Sequence, residues 1–250
     1  MKINPRKLKK AFKILRRNYG APGRDGISIR DIKMNFSDNM AYLKKRLDNE
    51  DYLFTPPSFT TFSDFNGKLR KVYVYTVMDR WVQHYLKLEL APLINSLLQP
   101  YTFAHIRGRN NIDASKYILQ ENPPYVLKLD VAEFYQSINN FRLFHLIDKI
   151  EFDSYLRHLL VQSFADSSDQ GLPLGHVLSP TLSNLYMNDF DLNFPTGYAR
   201  YSDDLLFVLN SKFDKQNIVN KVIIELEKLD LKLNCKKTKI FRQPKIKDLL

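Results

Sequence analysis

Cysteine is almost absent from this chain: Cys235 is the only one among 250 residues. A single thiol excludes an internal disulfide, and it also excludes a zinc site built on several thiolates. The five histidines, at positions 84, 105, 145, 158 and 176, show no metal-ligand spacing. The sequence therefore predicts neither a disulfide framework nor a metal centre based on cysteine or histidine.

Long apolar runs are also absent. No apolar stretch approaches the roughly 18 residues that would indicate a transmembrane helix, and the basic N-terminus lacks the apolar core of a signal peptide. Internal repeats, low-complexity tracts and linkers are not found either. These features predict a soluble, cytoplasmic protein that has no membrane partner.

Acidic residues are outnumbered by basic ones: 27 Asp and Glu stand against 38 Lys and Arg, which gives a net charge of +11. A polyanion is the expected partner of such a chain, and nucleic acid is the first candidate. A basic protein without a specific partner is the alternative that charge alone leaves open. The length is sufficient for one large domain, or for two smaller ones that share a core.

Hydrophobic periodicity predicts most of the secondary structure. Residues 5–19 place an apolar stripe on one helical face and basic residues on the others, which indicates a surface helix docked by its stripe. Residues 52–75 alternate around Asn66-Gly67 and predict a β-hairpin. Further helices are predicted over 37–49, where Ser37 opens the helix, and over 76–90, 112–120, 140–150, 153–164, 180–191 and 214–229, with a short strand region over 231–250.

Two adjacent aspartates mark the most informative stretch. Tyr201-Ser202-Asp203-Asp204 lies between the extended residues 196–200 and the apolar run 205–209, so a β-hairpin would carry it at the tip. The two carboxylates repel each other there, and a divalent cation would relieve the repulsion because oxygen ligands suit magnesium. Taken alone, the pair is a weak signal that favours a solvated turn over a catalytic site.

A third carboxylate lies upstream in a matching setting. Residues 125–130 read as a short buried strand that ends at Asp130. An aspartate at the end of an apolar strand is costly to bury without a partner. Two strands that each deliver acidic residues could bring three carboxylates around a pair of cations, which is the arrangement that two-metal phosphoryl transfer requires.

Eight blocks stand in a characteristic order along the chain, namely 23–26, 67–70, 79–83, 107–110, the strand of Asp130, 170–184, 201–204 and 233–238. Their order resembles the fingers and palm of reverse transcriptases, closest to the bacterial group II intron-like lineage that includes retron and phage-defence enzymes. The resemblance implies an α+β right-hand polymerase fold with an antiparallel palm sheet, a fingers region, and a thumb that is short or absent. It implies fingers over 1–124, with part of the palm interleaved, palm over 125–242, and a tail or the start of a thumb over 243–250.

The resemblance also implies roles for the acidic cluster. Asp130 and Asp203 would hold two Mg²⁺ ions, or Mn²⁺ in their place, together with the backbone carbonyl of Val131. Asp204 would be a nearby, less direct carboxylate. Lys237 would donate a proton to the pyrophosphate, although without the resemblance it reads as one more solvated lysine.

Nucleotide and template contacts are implied by the same likeness. Tyr135 matches the position of an aromatic ring that blocks a ribose 2′-hydroxyl and so favours deoxynucleotides, although by itself it reads as a core residue. Asn184 would brace the loop, and Gln170 could simply cap a turn. The nucleotide-binding set is Lys68, Arg70, Tyr135, Gln170 and Gly171, in which Lys68 and Arg70 clamp the triphosphate. The template or primer set is Arg107, Arg109, Asn184, Tyr201 and Ser202.

Three departures from the family pattern stand out. Residues 59–64 lack the extra lysines common before the fingertip turn, and Ser202 replaces the more usual alanine or methionine. The chain ends at Leu250, before the primer grip and thumb of a typical member. A second copy, or a partner chain that replaces the thumb surface, is compatible with this departure.

The function implied is RNA-directed DNA synthesis. The chain would add deoxynucleotides to a 3′-hydroxyl on an RNA template, a structured noncoding RNA, and would leave a DNA product or an RNA/DNA duplex in bacterial antiphage defence. Template-independent or protein-primed DNA synthesis is one alternative. An RNA-directed RNA polymerase, which Tyr135 argues against, and a noncatalytic RNA-binding scaffold are the others.

Overall fold

A computed structural model describes residues 2–18, 20–63, 67, 69–165 and 171–250. Lys68 and Gln170, both predicted to bind nucleotide, lie outside the described residues. The chain divides into two compact units, Met1–Leu93 with Ile147–Ser179, and Ile94–Leu146 with Pro180–Leu250. Each unit is built from two separate stretches of chain, and the second includes residues 94–124, which the sequence places before the predicted palm. The names fingers and palm for residues 1–124 and 125–242 stay predictions.

The first unit begins with helix α1, Pro5–Leu15. The side chain of Asn4 starts it by accepting hydrogen bonds from the next free backbone N–H groups. The predicted apolar stripe is buried: the indole N–H of Trp81 donates to the carbonyl of Leu8 at 2.8 Å, and the Phe12 and Trp81 rings lie 4.6 Å apart. The helix is therefore docked by its stripe, as predicted, but it ends at Leu15 rather than at residue 19.

Two short helices follow in place of the single predicted one. Helix α2, Ile29–Met34, is opened by a capping box between Ser28 and Asp31. Helix α3 spans Phe36–Asp48, so Ser37 lies inside it and is not its cap. A six-residue helix is too short to show a periodic apolar stripe, which is why the sequence did not predict α2.

The predicted hairpin is confirmed. Strand β1, Ser58–Ser63, pairs antiparallel with β2, Leu69–Val74, and Ser63 lies opposite Leu69. Helix α4 then runs over Val77–Leu97, seven residues beyond its predicted end, because it continues through Pro92 and buries Ile94.

The second unit carries a four-stranded antiparallel sheet in the order β4-β5-β3-β6. Its central strand β3 pairs with β5 on one side and with β6 on the other, and its apolar residues are fully buried. The strands are β3 Tyr125–Asp130, β4 Tyr198–Tyr201, β5 Asp204–Leu209 and β6 Lys239–Arg242. The helices of the remaining chain are α5 Asn111–Leu119, α6 Phe134–Ser137, α7 Asn140–Asp148, α8 Ser154–Gln162, α9 Ser179–Leu192, α10 Asp214–Glu227 and α11 Ile246–Leu249.

The sheet carries the predicted Asp-Asp hairpin. Tyr201 and Asp204 face each other at the end of the β4–β5 pair, so Ser202 and Asp203 form the tip. The predicted strand region over 231–250 contains only one short strand, together with a 3-10 turn over Cys235–Lys237 and helix α11. Among the described residues, no helix combines the length and apolar character needed to cross a bilayer.

Candidate active site

The antiparallel register brings the acidic residues to one end of the sheet. Asp130, the last residue of β3, lies directly opposite Asp204, the first residue of β5. The backbone N–H of Val131 donates to the carbonyl of Asp203 at 3.1 Å. The strand end with Asp130 and the turn with Asp203 therefore meet, although they are 73 positions apart in the chain.

Asp130 is held in place by the segment before β6. Its carboxylate accepts from the Asn234 side-chain amide at 2.9 Å and from the Lys237 ammonium at 2.7 Å. The Asn234 backbone N–H also donates to the Asp130 carbonyl at 2.8 Å. The hydrogen bond to Asp130 raises the pKa of Lys237, so its ammonium stays protonated beside the acidic cluster.

The cluster carries excess negative charge. Burial raises the pKa of Asp203, and the neighbouring charges of Asp204 and Asp130 raise it further. Oxygen ligands under such mutual repulsion fit a hard divalent cation. Within the described ranges no three His, Cys, Asp or Glu side chains already form a cage for a metal ion. Asp130 and Asp204 are instead paired with Lys237 and Lys128, at 2.7 and 3.2 Å.

The Asp-Asp turn rests on a buried arginine. Ser202 has a left-handed backbone with φ of 60°, which a residue other than glycine adopts only when its surroundings enforce it. Arg200, fully buried, donates to the Ser202 carbonyl at 3.2 Å and to the Asn184 side-chain oxygen at 3.0 Å. Its guanidinium also forms a two-pronged ion pair with Asp191, which is buried as well, at 2.7 to 3.1 Å.

Asn184 belongs to this support. Its side-chain amide donates to the carbonyl of Ala104 at 2.7 Å while its oxygen accepts from Arg200, and the residue is only 1% exposed. The structure thus gives Asn184 a bracing geometry, and its direct contact with template or primer stays a prediction. Arg200 and Asp191 were missed by the sequence reasoning, although an arginine inside a short apolar strand needs a buried partner.

Tyr135 lies beside the same turn. Its hydroxyl is 3.3 Å from Nε2 of His105. Burial raises the pKa of Tyr135, while hydrogen bonds with the hydroxyls of Ser183 and Ser202 lower it. The ring is therefore held next to Ser202 rather than deep in the core.

The predicted template and primer residues differ in availability. Arg109 donates to the carbonyls of Pro100 at 3.1 Å and Thr102 at 2.6 Å, so its guanidinium fixes its own loop. Arg107 is exposed. The Tyr201 ring lies 6.5 Å from that of His105. Contacts of these residues with nucleic acid stay predictions.

In the first unit, the predicted nucleotide-binding loop packs on the hairpin. Gly171 has a φ of 78°, and the Leu174 carbonyl accepts from the Tyr73 N–H at 2.8 Å. A Cβ atom on Gly175 would lie 2.1 Å from the Tyr73 carbonyl oxygen, so only glycine fits there. Arg70 lies on β2 opposite Phe62.

Solved structures with the same architecture define the class. The chain matches apo telomerase from Candida tropicalis with a TM-score of 0.55 at 15% identity, over 76% of this chain and 44% of that one. It matches Candida albicans telomerase bound to a TWJ fragment of telomeric RNA with a TM-score of 0.54 at 12% identity, over 87% and 47%. At this identity the likeness shows the fold alone. The predicted α+β right-hand polymerase fold with antiparallel sheets is confirmed.

The sequence places the chain within that class. The family model described as reverse transcriptase (RNA-dependent DNA polymerase) matches residues 57–249, so the chain belongs to the reverse transcriptase family. The predicted family is confirmed.

Three curated relatives are similar over parts of their length. The retron Ec83 reverse transcriptase of Escherichia coli is 29% identical over 124 residues, covering 44% of this chain and 39% of that protein. Protein YkfC of Escherichia coli strain K12 is 22% identical over 205 residues, covering 75% and 54%. Maturase-like protein 1 of Euglena longa is 24% identical over 232 residues, covering 87% and 48%. The chain thus spans about half of these relatives or less.

Proposed function

We propose that this chain is the polymerising part of an RNA-directed DNA polymerase that adds deoxynucleotides to a 3′-hydroxyl. The observation that carries the proposal is the meeting of Asp130 with the Asp203-Asp204 turn in a member of the reverse transcriptase family. Incorporation of labelled deoxynucleotides on an RNA template, with and without an intact Asp203, tests it.

Divalent metal ions belong to the chemistry of this family. We propose that Asp130, Asp203 and the Val131 carbonyl hold two Mg²⁺ ions, for which Mn²⁺ can substitute, with Asp204 as the less direct carboxylate. When bound, the ions supply activation of the attacking hydroxyl and neutralisation of the pyrophosphate charge. Burial, together with the neighbouring charges of Asp204 and Asp130, raises the pKa of Asp203, and a bound cation would relieve this, which supports the assignment.

The chain's own cations complete the chemistry. Lys68 and Arg70 would hold the triphosphate, since guanidinium and ammonium groups match phosphate oxygens. Gln170 and Gly171 would contact the nucleotide and its templating partner. Lys237, whose ammonium lies at the acidic cluster, would deliver a proton to the departing pyrophosphate.

Sugar selectivity tests the assignment of Tyr135. Replacing Tyr135 with Ala removes the ring beside Ser202, so ribonucleotide incorporation relative to deoxynucleotide should rise about tenfold or more, since a site loses discrimination when a clash is removed. Tyr135→Phe keeps the ring and loses only the hydroxyl contacts with His105, Ser183 and Ser202, so its selectivity should stay near that of the wild type. Steady-state incorporation of both nucleotide types measures the ratio. Unchanged selectivity in Tyr135→Ala would show that this ring does not exclude ribonucleotides.

An RNA partner is supported by the charge distribution. Residues 5–33 contain ten Lys or Arg and two Asp, a net charge of +8 out of the +11 of the whole chain. The apolar stripe of α1 is buried, so this helix has no apolar face left for a bilayer. Contacts with RNA phosphates, in contrast, need only the exposed Lys and Arg charges. Two adjoining grooves are lined by exposed cations, namely Arg6, Lys9, Lys10, Lys13, Arg16, Arg17, Arg30 and Lys33, and in the described part of the chain none of these forms an ion pair.

Neutralising this basic face should weaken RNA binding. The triple change Lys9→Gln, Lys13→Gln and Lys33→Gln should raise the Kd for a structured RNA about tenfold at low salt and reduce the salt slope of log Kd by about 2 to 3, because fewer counterions are released. Fluorescence anisotropy across a salt series measures both quantities.

The matched control is a second triple variant that has the same net charge but changes lysines elsewhere. Lys45, Lys149 and Lys247 are exposed outside these grooves, and their replacement by Gln should leave the salt slope nearly unchanged. Equal losses in both triple variants would show that only overall charge matters.

Sequencing the DNA product separates templated synthesis from the template-independent or protein-primed alternative. A faithful complement of a supplied RNA supports the proposal, whereas random, repetitive or protein-linked DNA supports the alternative.

The likeness to a retron reverse transcriptase motivates the antiphage role on a noncoding RNA, and sequencing the RNA that copurifies from cells tests it. Light scattering with and without RNA tests whether a second copy or partner chain is needed.

A further inference from the structure

Two lysines hold the acidic cluster, and they do so in different ways. Lys237 Nζ lies 2.7 Å from Asp130, and Lys128 Nζ lies 3.2 Å from Asp204. In the part of the chain that the structure describes, no lysine or arginine pairs with Asp203. Two of the three carboxylates therefore already have a cation, and one does not.

Lys237 is placed to leave its partner. Its side chain is 55% exposed, and among the described residues Asp130 is the one group that it contacts by hydrogen bond or ion pair. Rotation of this exposed side chain into solvent breaks no other contact of that kind. A metal ion that approaches Asp130 can therefore take the place of the ammonium.

Lys128 is fixed. Its side chain is only 18% exposed, and its ammonium also donates to the carbonyl of Leu249 at 3.0 Å. In the sheet it stands between Leu206 on β5 and Lys239 on β6, with Asp204 as its diagonal neighbour. Lys128 has neither the exposure nor the freedom of Lys237.

We propose that Lys128 is a positioning residue that keeps Asp204 paired with an ammonium whether or not metal ions are bound, whereas Lys237 is a counter-cation that metal displaces from Asp130. The inference rests on the proposed metal-dependent function and deepens it. It separates Asp130 and Asp203, which become free to bind metal, from Asp204, which Lys128 holds out of direct coordination. An ammonium that is paired with a carboxylate lowers the affinity of that carboxylate for a metal ion, because the two cations repel each other.

Mn²⁺ binding in the absence of nucleic acid tests whether Lys128 and Lys237 have these different roles. Lys128→Met should tighten Mn²⁺ binding about three- to tenfold, because Asp204 loses its cation and becomes available as a ligand. In an Asp204→Asn background the same change should have no effect on the Mn²⁺ Kd. Titration calorimetry and the electron paramagnetic resonance signal of free Mn²⁺ measure the affinity.

Lys239→Met is the matched control, since it removes a like charge from the position opposite Lys128. It should change the Mn²⁺ Kd by less than about twofold, because no carboxylate of the cluster depends on it. Unchanged or weaker Mn²⁺ binding in Lys128→Met would overturn the inference, and so would an equal effect of Lys239→Met.

Lysine labelling followed by mass spectrometry gives a readout that does not depend on polymerisation. Without metal, Lys128 should be protected, and Lys237 should react more slowly than its exposed neighbour Lys236. With Mn²⁺, Lys237 should become as reactive as Lys236 while Lys128 stays protected. Labelling of Lys128 in either condition would contradict the inference. Failure of the wild type to bind Mn²⁺ would instead remove the metal step from the proposed function.

Discussion

Asp203→Asn is expected to lower deoxynucleotide incorporation on an RNA template by about 10³-fold or more. A carboxylate that binds a catalytic metal contributes several kcal/mol to the transition state, and each 1.4 kcal/mol or so is a factor of ten in rate. The amide keeps the shape of the side chain but removes its negative charge, which interacts with the charges of Asp130 and Asp204. Single-turnover incorporation with Mg²⁺ measures the loss.

A control in the same unit makes this result specific. Asp189 is an exposed carboxylate on α9, and Asp189→Asn changes the net charge by the same amount. It should incorporate nucleotides at nearly the wild-type rate, and both variants should melt close to the wild-type temperature. Equal incorporation by Asp203→Asn and the wild type would remove Asp203 from the mechanism and favour the noncatalytic scaffold.

Arg200→Met is expected to have the largest effect on stability, a loss of about 3 to 5 kcal/mol in the free energy of unfolding, because it leaves the Asp191 charge buried without its cation. The Ser202 carbonyl and the Asn184 side chain lose a donor at the same time, so the turn that carries Asp203 loses its support. Urea unfolding measures the stability, and incorporation by the folded fraction measures the activity.

Two comparisons separate packing from charge. Asp148→Asn breaks the ion pair with Arg157 but keeps the arginine's hydrogen bonds to backbone carbonyls, and because Asp148 is 58% exposed the change should cost about 1 kcal/mol or less. Adding Asp191→Leu to Arg200→Met should restore part of the stability but not the activity, because the Ser202 contact stays lost. A stability of Arg200→Met equal to that of the wild type would show that the buried pair does not support the turn.

Local patterns were sufficient to predict the elements that carry the aspartates. The strand that ends at Asp130 and the hairpin of residues 198–209 follow from short apolar runs and turn residues, which depend on neighbours in sequence. Helix α2 was missed because six residues show no periodicity. Helix α4 was predicted to end at Leu90, but it continues through Pro92 to Leu97. This extension depends on tertiary burial, which the local sequence around a proline does not reveal.

The support of the site depends on register and tertiary contacts. Alternation places Lys128 on the same face as Asp130, but only the pairing of β3 with β5 makes Asp204 its diagonal neighbour. Arg200 meets Asp191 because β4 packs near α9, which no short-range pattern predicts. The acidic residues, Asn184 and Lys237 could thus be predicted from the sequence, whereas the supporting contacts of Arg200, Asp191 and Lys128 could not.

Anomalous diffraction from crystals soaked in Mn²⁺ tests the central claim most directly. The account predicts an anomalous peak in contact with the carboxylates of both Asp130 and Asp203, with Lys237 moved away from Asp130. Manganese bound elsewhere, with Asp130 still paired to Lys237 and Asp203 without a metal, would contradict it.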